Sequence, residues 1–225
     1  WMWGWAFALG SLCTAFWQGV ILGAIVEGMP LQEGKYVGGM FDFFSPFSML
    51  TGAAVVFGYA LLGACWLILK TEGELQKTAR TLARPLVLVV VVFIGLVSTW
   101  LPFLSSRIMA RWFDSGNFWW LSPVPLLVVA VAFALWRDAG VAQGRDARPF
   151  LLTMCLFVLG FAGLVLGMWP YIVPPSLTLW QAASPPSSQG FVLVGLAFLL
   201  PVILGYTWWS YRVFAGKVAS DAGYH

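Results

Sequence analysis

Long apolar runs separated by short polar connections dominate the chain. A membrane-spanning helix needs about twenty mostly apolar residues, because each residue rises about 1.5 Å through roughly 30 Å of hydrocarbon. Such runs are Trp5–Val26, Ser48–Leu69, Pro85–Leu104, Leu121–Trp136, Phe150–Val173 and Phe191–Phe214. The pattern therefore predicts an all-α, polytopic transmembrane helical bundle with about six spanning helices, a membrane domain over residues 1–218 and a C-terminal tail over residues 219–225.

The fourth run, Leu121–Trp136, is the shortest of the set and carries two prolines within Ser122–Pro125. Proline is tolerated in the first turn of a helix, where its missing N–H leaves no hydrogen bond unmade. The prolines are therefore compatible with a span only near its start.

Basic residues are concentrated in alternate connections. One side of the predicted bundle has only Lys35, Arg107 and Arg111, and the other side has all the rest: Lys70, Lys77, Arg80, Arg84, Arg137, Arg145, Arg148, Arg212 and Lys217. Lys and Arg are retained on the cytoplasmic side of a membrane protein. We therefore expect both ends of the chain to lie in the cytoplasm.

Composition agrees with a membrane location. Hydrophobic residues make up 60% of the sequence and charged residues 9%, with a mean hydropathy of +0.86, whereas soluble domains carry about 25% charged residues. The 14 tryptophans suit two interfacial aromatic belts. The net charge of +3 follows from the topology, and no patch for nucleic acid is indicated.

The N-terminus does not have the pattern of a signal peptide. The chain begins with WMWGW, which lacks both a basic region and a small-residue cleavage motif. Since the first residue is Trp1 and not Met, we expect the sequence to be a piece of a longer chain.

The sequence offers few residues for redox or metal chemistry. Its one histidine, His225, is the last residue, and Cys13, Cys65 and Cys155 all lie inside apolar runs, where cysteine behaves as a small hydrophobe. Haem iron commonly takes an axial His, Cys, Met or Tyr, and non-haem metals mostly take His and carboxylates. Ligation by Met49, Met154 or Met168 is an alternative, but such methionines more commonly fill apolar gaps. We therefore predict no catalytic residue, no metal site and no cofactor bound by this chain alone.

Carboxylates are also missing from membrane depth in the predicted spans. Glu27, Asp42, Glu72 and Glu74 all lie at span ends or in connections, whereas a self-contained proton pump or ion-coupled transporter would carry a deeper charge. The deepest polar residues are Thr14, Gln18, Thr51 and Thr207. We expect each of them to bond a neighbouring helix and not a substrate.

Two glycine pairs have the spacing that lets helices approach closely in lipid. Gly19 and Gly23 lie in the first run, and Gly163 and Gly167 in the fifth. Small residues four apart permit backbone contact where no hydrophobic force drives association. The pairs predict two tight interfaces, although such spacing is common among 24 glycines.

The stretch FDFFSPFSMLTG places a carboxylate, Asp42, just before the second run. Ser45 followed by Pro46 has the pattern of an N-cap and a first helical residue, and Asp42 would then meet the positive end of the helix dipole. The alternative is that Asp42 belongs to a charge-handling site near a quinol or proton entry. The sequence leaves both interpretations open.

The connection WPYIVPPSLTLWQAASPPSS is rich in proline. Because of these breaks it predicts neither a strand nor a long helix. It either links two spans or caps a site on a neighbouring subunit.

Several strings together resemble a known family. FDFFSPFSMLTGAAVVFGYALLGACWLILKTEGELQ, WPYIVPPSLTLWQAAS and LPVILGYTWWSYRVFAGKV resemble, in that order, the membrane subunit II of cytochrome bd-type quinol oxidases, including the cyanide-insensitive branch. The opening GWAFALGSLCTAFWQGVILGAIVEG is similar to the same family. The resemblance runs from near residue 3 to about residue 218.

The resemblance implies a function and partners. In that family an all-helical subunit II accompanies subunit I in a complex of the bacterial plasma (inner) membrane that oxidises quinol and reduces dioxygen to water. It implies that haem b, haem d and the quinol-oxidation loop belong to subunit I, with small accessory subunits, membrane lipids and quinone as further partners. It also implies that more helices precede Trp1 and carry the acidic residues of a proton path, so no site residue is transferred to this chain.

The primary hypothesis is therefore a non-haem subunit that supports a haem-bearing partner in aerobic respiration. A small polytopic transporter is the first alternative. A membrane-integral enzyme with its own site is the second, and it would need convergent polar residues that the sequence does not show.

Overall fold

A computed structural model describes residues 2–32, 35–104, 106–113, 115–141 and 145–217. The predicted tail at 219–225, with His225, lies outside the described residues, as does Trp1. The helices are α1 (Met2–Glu27), α2 (Pro46–Lys70), α3 (Gly73–Leu104), α4 (Ser106–Phe113), α5 (Ser115–Leu121), α6 (Pro123–Ala139), α7 (Ala147–Met168), α8 (Leu179–Ala182) and α9 (Pro186–Val213).

Among the described residues, six helices are long and apolar enough to cross a membrane: α1, α2, α3, the stretch Gly116–Ala139, α7 and α9. The prediction of an all-α polytopic bundle is confirmed. Pro123 and Pro125 lie in the first turn of α6, the position that proline tolerates.

Several helix ends differ from the predicted spans, and two of them have a clear local cause. Helix α3 begins at Gly73, well before the predicted Pro85, because its first turns are polar but rich in helix formers. Helix α7 ends at Met168, before the predicted Val173, because Pro170 disfavours a helical conformation at Trp169. Hydropathy marks the part of a helix in lipid, whereas propensity and proline mark its ends.

Helix α2 is at the centre of the packing and contacts α1, α3 and α7. The main core cluster joins α2, α3, α6 and α7 around the fully buried Leu61, Ile68 and Leu135. A second cluster, with Val26, Phe47, Leu101 and Ile108, lies at the other end of the bundle and connects α4 to the ends of α1, α2 and α3.

The glycine pair of α1 forms a tight interface with α2, as predicted. A Cβ at Gly19 would lie 2.5 Å from the Thr51 carbonyl oxygen, and a Cβ at Gly23 would overlap the Thr51 hydroxyl. The hydroxyl of Thr51 donates a hydrogen bond to the Gly19 carbonyl at 2.8 Å. Thr51 therefore bonds a neighbouring helix, as expected of the deep polar residues.

The glycine pair of α7 behaves differently. A Cβ at Gly167 would lie 3.3 Å from a Leu101 methyl, whereas a Cβ at Gly163 would meet Val124 at an ordinary 3.9 Å. The prediction of tight packing is therefore wrong for Gly163. The close contact between α2 and α7 is instead at Gly58, where a Cβ would lie 2.9 Å from the Phe157 ring.

Two short hairpins lie in connections. Strand β1 (Leu31–Gln32) pairs with β2 (Lys35–Tyr36), and β3 (Tyr171–Val173) pairs with β4 (Leu177–Thr178). The second hairpin corrects the expectation that WPYIVPPSLTLWQAASPPSS holds no strand. Its prolines at 174 and 175 lie in the turn between the strands, where proline disrupts no strand pairing.

Helix α9 is exposed along its length. No residue of α9 is buried within the described part of the chain. Its contacts are at its last turns, where Tyr211 packs edge-on against Trp66 and Lys70 Nζ donates to the Phe214 carbonyl at 3.0 Å. The end of α9 is therefore attached to the bundle near the end of α2.

Candidate functional site

The start of α2 is built by local capping. Ser45 is the N-cap, its hydroxyl accepts from the Ser48 N–H at 2.9 Å, and Pro46 occupies the first helical position. The Ser48 hydroxyl in turn accepts from the Ser45 N–H at 2.9 Å. The helix-start interpretation of Ser45 and Pro46 is confirmed.

Asp42 lies outside that cap. Its Oδ2 accepts from the Gly39 N–H at 2.7 Å and from the Tyr36 hydroxyl at 3.3 Å. Burial and the charge and hydrogen bond of Asp42 together raise the pKa of Tyr36. Asp42 is exposed, so its observed role is to close the loop between β2 and α2, and the expected contact with the helix dipole is not what holds it.

The carboxylate at the start of α2 is Glu27, which the sequence interpretation placed only at a helix end. Glu27 Oε2 accepts a hydrogen bond from the Ser45 hydroxyl, and this joins the end of α1 to the cap of α2. Gly28, with φ +100°, turns the chain directly after it. A carboxylate is disfavoured at the C-terminal end of its own helix and favoured at the start of another, and this is the sequence signal at Glu27.

A groove runs along the outer side of α1 beside Tyr59 of α2, and its polar residues Thr14, Gln18 and Tyr59 lie near the middle of their helices. We call it the mid-membrane groove; its volume is about 480 Å³. Gln18 Oε1 accepts from the Tyr59 hydroxyl at 3.1 Å, so Gln18 bonds a neighbouring helix as expected. Thr14 differs from that expectation, because its hydroxyl donates to the Gly10 carbonyl of its own helix at 2.8 Å. No bond that would test Thr207 is found among the described residues. The lining residues are Ala6, Phe7, Gly10, Ser11, Thr14, Ala15, Gln18 and Tyr59.

Ser11, Gln18 and Tyr59 are all exposed in this groove, although Gln18 and Tyr59 bond each other. Hydrocarbon tails cannot satisfy a carboxamide or a hydroxyl, so polar groups in lipid normally meet another helix. The groove therefore has the chemistry of a helix-contact surface.

Charged residues meet at the end of the bundle where α2 ends and α3 and α7 begin. Asp146, directly before α7, pairs through Oδ1 with Arg80 of α3. Its Oδ2 accepts from Lys217, beyond α9, at 2.5 Å and from Gln76 at 3.2 Å. We call these four residues the ion-pair cluster. The cluster connects α3, α7 and the segment that follows α9.

Asp146 is held in its charged form by the cluster. Burial raises the pKa of its carboxyl group, but the hydrogen bond and charge of Lys217, the charge of Arg80 and the hydrogen bond of Gln76 outweigh that effect. The pKa of Asp146 therefore lies below its ordinary value. The arrangement is that of a structural ion pair, because every oxygen of the carboxylate is engaged by a neighbouring element.

In the part of the chain that the structure describes, no group of three His, Cys, Asp or Glu side chains lies close enough to hold a metal ion. The cysteines at 13, 65 and 155 are free thiols. The cofactor-binding residues stay unassigned, and the predictions of no catalytic and no metal-binding residue stay predictions.

These features define the chain as a polytopic helical membrane protein whose polar contacts join helices to one another. Its relatives identify it further. The family model for cytochrome bd terminal oxidase subunit II matches residues 1–214. The chain belongs to that family, as the resemblance of its strings indicated.

Curated relatives are distant but are matched over nearly the whole chain. Cytochrome bd-I ubiquinol oxidase subunit 2 of Escherichia coli (strain K12) is 25% identical over 98% of this chain and 66% of the relative. Probable cytochrome oxidase subunit 2 of Haemophilus influenzae is 25% identical with the same coverage. Cytochrome bd ubiquinol oxidase subunit 2 of Bacillus subtilis (strain 168) is 24% identical over 97% of this chain and 64% of the relative. The chain thus spans somewhat less than two thirds of the length of these relatives.

Proposed function

We propose that the chain is the non-haem membrane subunit of a cytochrome bd-type terminal oxidase. In this role it supports a haem-bearing subunit that oxidises quinol and reduces dioxygen to water in aerobic respiration. The family match over residues 1–214 carries the proposal, and the relatives from Escherichia coli and Bacillus subtilis are named as subunits of ubiquinol oxidases.

The surfaces of the chain support a role in an assembly. The mid-membrane groove presents Ser11 and the bonded pair Gln18 and Tyr59 at a depth where lipid offers no further hydrogen-bond partner. Helix α9 buries no residue against the described part of the chain. We propose that the groove packs against a helix of the oxidase assembly, and that small accessory subunits, lipids and quinone also contact the chain.

The redox cofactors belong, in this proposal, to the partner. Haem b and haem d would be bound by the haem-bearing subunit, with quinol as the substrate of the complex. The scarcity of axial ligands supports this division, since the sequence has one histidine, at its last position. The chain would contribute by excluding water and lipid from the redox core.

We also propose that both ends of the chain lie in the cytoplasm of a bacterium, with the protein in the plasma (inner) membrane. The ion-pair cluster supports this orientation, because Arg80 and Lys217 lie at one end of the bundle with Lys70. Basic residues are retained on the cytoplasmic side. Alkaline phosphatase fused after residue 217 should be inactive and the same enzyme inserted after residue 183 should be active; the reverse result would invert the topology.

Co-purification tests the function directly. An affinity tag on this chain, expressed with its neighbouring genes in its own host, should recover a second membrane subunit with b-type and d-type haem absorbance. The complex should consume oxygen when given a short-chain quinol. A colourless chain that purifies alone and oxidises quinol, or one that carries stoichiometric haem without a partner, would refute the proposal.

The transporter alternative has lost support. It required an isolated chain with its own path for a solute, and the family assignment instead places the chain among oxidase subunits. Solute uptake by vesicles that contain only this chain would revive it.

A further inference from the structure

A cavity with two arginines lies at the opposite end of the bundle from the ion-pair cluster. Its volume is about 270 Å³, and it is bounded by α4, the end of α7 and the β3–β4 hairpin. We call it the arginine cavity. Its walls are Arg107, Ile108, Arg111, Gly167, Met168, Trp169, Pro170, Tyr171 and Pro174. The charged wall is formed by α4 and the apolar wall mainly by residues 167–174.

Helix α4 has the character of a helix that lies at a membrane surface. Ile108 is buried in the cluster formed by the ends of α1, α2 and α3, and Trp112 packs against that cluster. Arg107 and Arg111, four residues apart, share the other face. An apolar face beside a basic face, with tryptophan, is typical of interfacial helices. The cavity therefore lies where lipid headgroups lie.

The two guanidinium groups are fixed by aromatic and backbone contacts. Arg107 lies over the Tyr171 ring at 4.3 Å, and Arg111 Nη1 donates to the Trp169 carbonyl at 3.0 Å. That hydrogen bond uses one of the five N–H donors of Arg111. Both side chains are thus oriented towards the hairpin before any ligand arrives, which lowers the entropy lost on binding.

Charge favours an anion at this place. The segment 106–116 contains two arginines and one aspartate, so it keeps one net positive charge. This side of the predicted bundle has otherwise only Lys35 as a basic residue, and topology disfavours basic residues there. Two arginines line one cavity on the side of the membrane where basic residues are disfavoured. Their presence there points to a specific contact with an anion.

We propose that the arginine cavity binds the phosphate group of an anionic phospholipid. The planar guanidinium of Arg111 matches the paired oxygens of a phosphate, and Arg107 adds positive charge beside it. Met168, Trp169 and the two prolines form an apolar wall on which the first part of the acyl chains packs. Free phosphate has the same oxygens but no apolar part, so the two ligands are separable by experiment. The inference does not depend on the proposed oxidase activity.

The test uses the purified full-length protein with any partner that co-purifies. It is delipidated and reconstituted into nanodiscs of phosphatidylcholine alone or of an equal mixture with phosphatidylglycerol. We expect a higher Tm in the mixture, and retention of phosphatidylglycerol in native mass spectrometry. Equal Tm and no retained phosphatidylglycerol in the wild-type protein would overturn the proposal without any variant.

Variants then locate the site. Arg111→Gln should weaken retention of phosphatidylglycerol by about tenfold or more, as expected for the loss of a charge-assisted hydrogen bond. Lys35→Gln removes the same charge from the exposed β2 and should leave retention unchanged. Arg111→Lys keeps the charge but loses the planar guanidinium with its paired N–H donors. Its retention of phosphatidylglycerol should lie between that of wild type and that of Arg111→Gln. Equal retention by Arg111→Gln and Lys35→Gln would overturn the assignment.

Inorganic phosphate separates the two sources of the anion. Added at constant ionic strength, it should neither raise Tm in phosphatidylcholine nor displace phosphatidylglycerol. If phosphate alone reproduces the Tm increase and competes with the lipid, the cavity is a site for a soluble anion, and the lipid proposal is wrong.

Discussion

At the residue scale, glycine determines how closely α1 and α2 approach. Gly19 and Gly23 leave room for Thr51, whose hydroxyl bonds the Gly19 carbonyl across the interface. In lipid, close packing and hydrogen bonds provide most of the association between helices, because the surroundings are as apolar as the side chains. The two glycines therefore contribute to stability through the space they leave.

Gly23→Ala tests this packing. The added Cβ would overlap the Thr51 hydroxyl and lie 2.6 Å from Ser48 Cα, so we expect a loss of about 1–3 kcal/mol in unfolding free energy. Gly63→Ala is the matched control, since nothing lies within 4 Å of its Cβ position. The control should be neutral or slightly stabilising, because alanine favours helix over glycine. Unfolding in SDS, followed by circular dichroism, gives both values; equal losses would contradict the packing argument.

Asp42 provides a second test at this scale. Its carboxylate is exposed and closes a loop through Gly39 and Tyr36. Asp42→Asn should therefore leave quinol oxidase turnover, and its dependence on pH, about the same as in wild type. Removing the charge should lower the raised pKa of Tyr36 towards its ordinary value, which ultraviolet titration of tyrosine measures. A turnover that drops and shifts with pH would support the charge-handling interpretation instead.

At the scale of elements, helix ends are fixed by contacts that hydropathy does not report. Helix α3 continues through Glu74, Lys77 and Arg80 as a polar helix before it becomes apolar. Its polar part positions Arg80 beside Asp146, which directly precedes α7, and the two form an ion pair. This end of the bundle is thus held together by ion pairs, whereas the middles of the spans are held together by packing.

The ion-pair cluster makes stability depend on pH. The pKa of Asp146 is lowered in the folded state, so its contribution is present at neutral pH and is lost as pH falls below the ordinary carboxyl value of about 4. Asp146→Asn should cost about 1.5–3 kcal/mol at pH 7, as expected for hydrogen bonds to a charged group. The difference from wild type should shrink as the pH falls through that range.

Glu72→Gln is the control for the cluster. Glu72 is 60% exposed and lies 4.0 Å from Lys217, and such exposed pairs contribute about 0–1 kcal/mol. Melting curves of purified wild type, Asp146→Asn and Glu72→Gln are compared from pH 7 down to the lowest pH at which unfolding is reversible. A constant gap between wild type and Asp146→Asn at all pH values would show that the charge of Asp146 is not what stabilises the cluster.

At the scale of the whole molecule, the surface that is left uncovered is informative. The mid-membrane groove and helix α9 both expose side chains that need a neighbouring helix or lipid. Of these two surfaces, only the groove has a carboxamide, that of Gln18, near the middle of a described helix. Tyr59 bonds the Gln18 oxygen, but the Gln18 NH2 group has no acceptor among the described residues, and in lipid such a group requires one. The groove is therefore where we expect the assembly to contact this chain.

Gln18→Leu tests that contact. It should reduce the amount of haem that co-purifies with the tagged chain by about threefold, which corresponds to one average hydrogen bond between membrane helices. Thr14→Val is the matched control on the same groove, because the Thr14 hydroxyl bonds its own helix. The control should retain haem at the wild-type level. Equal recovery from both variants would exclude a role for Gln18 in assembly while leaving the family assignment intact.

The sequence by itself determined the membrane class, the presence of about six spanning helices, the cap of α2 and the family. Partition between water and lipid is a sum over single residues, and a cap such as Ser45–Pro46 depends on its immediate neighbours, so both are readable without coordinates. The tertiary structure alone decided which glycine packs tightly, that Glu27 and not Asp42 meets the cap of α2, and that Arg107 and Arg111 face the hairpin. These contacts join residues far apart in the chain, and no local spacing specifies which partners meet.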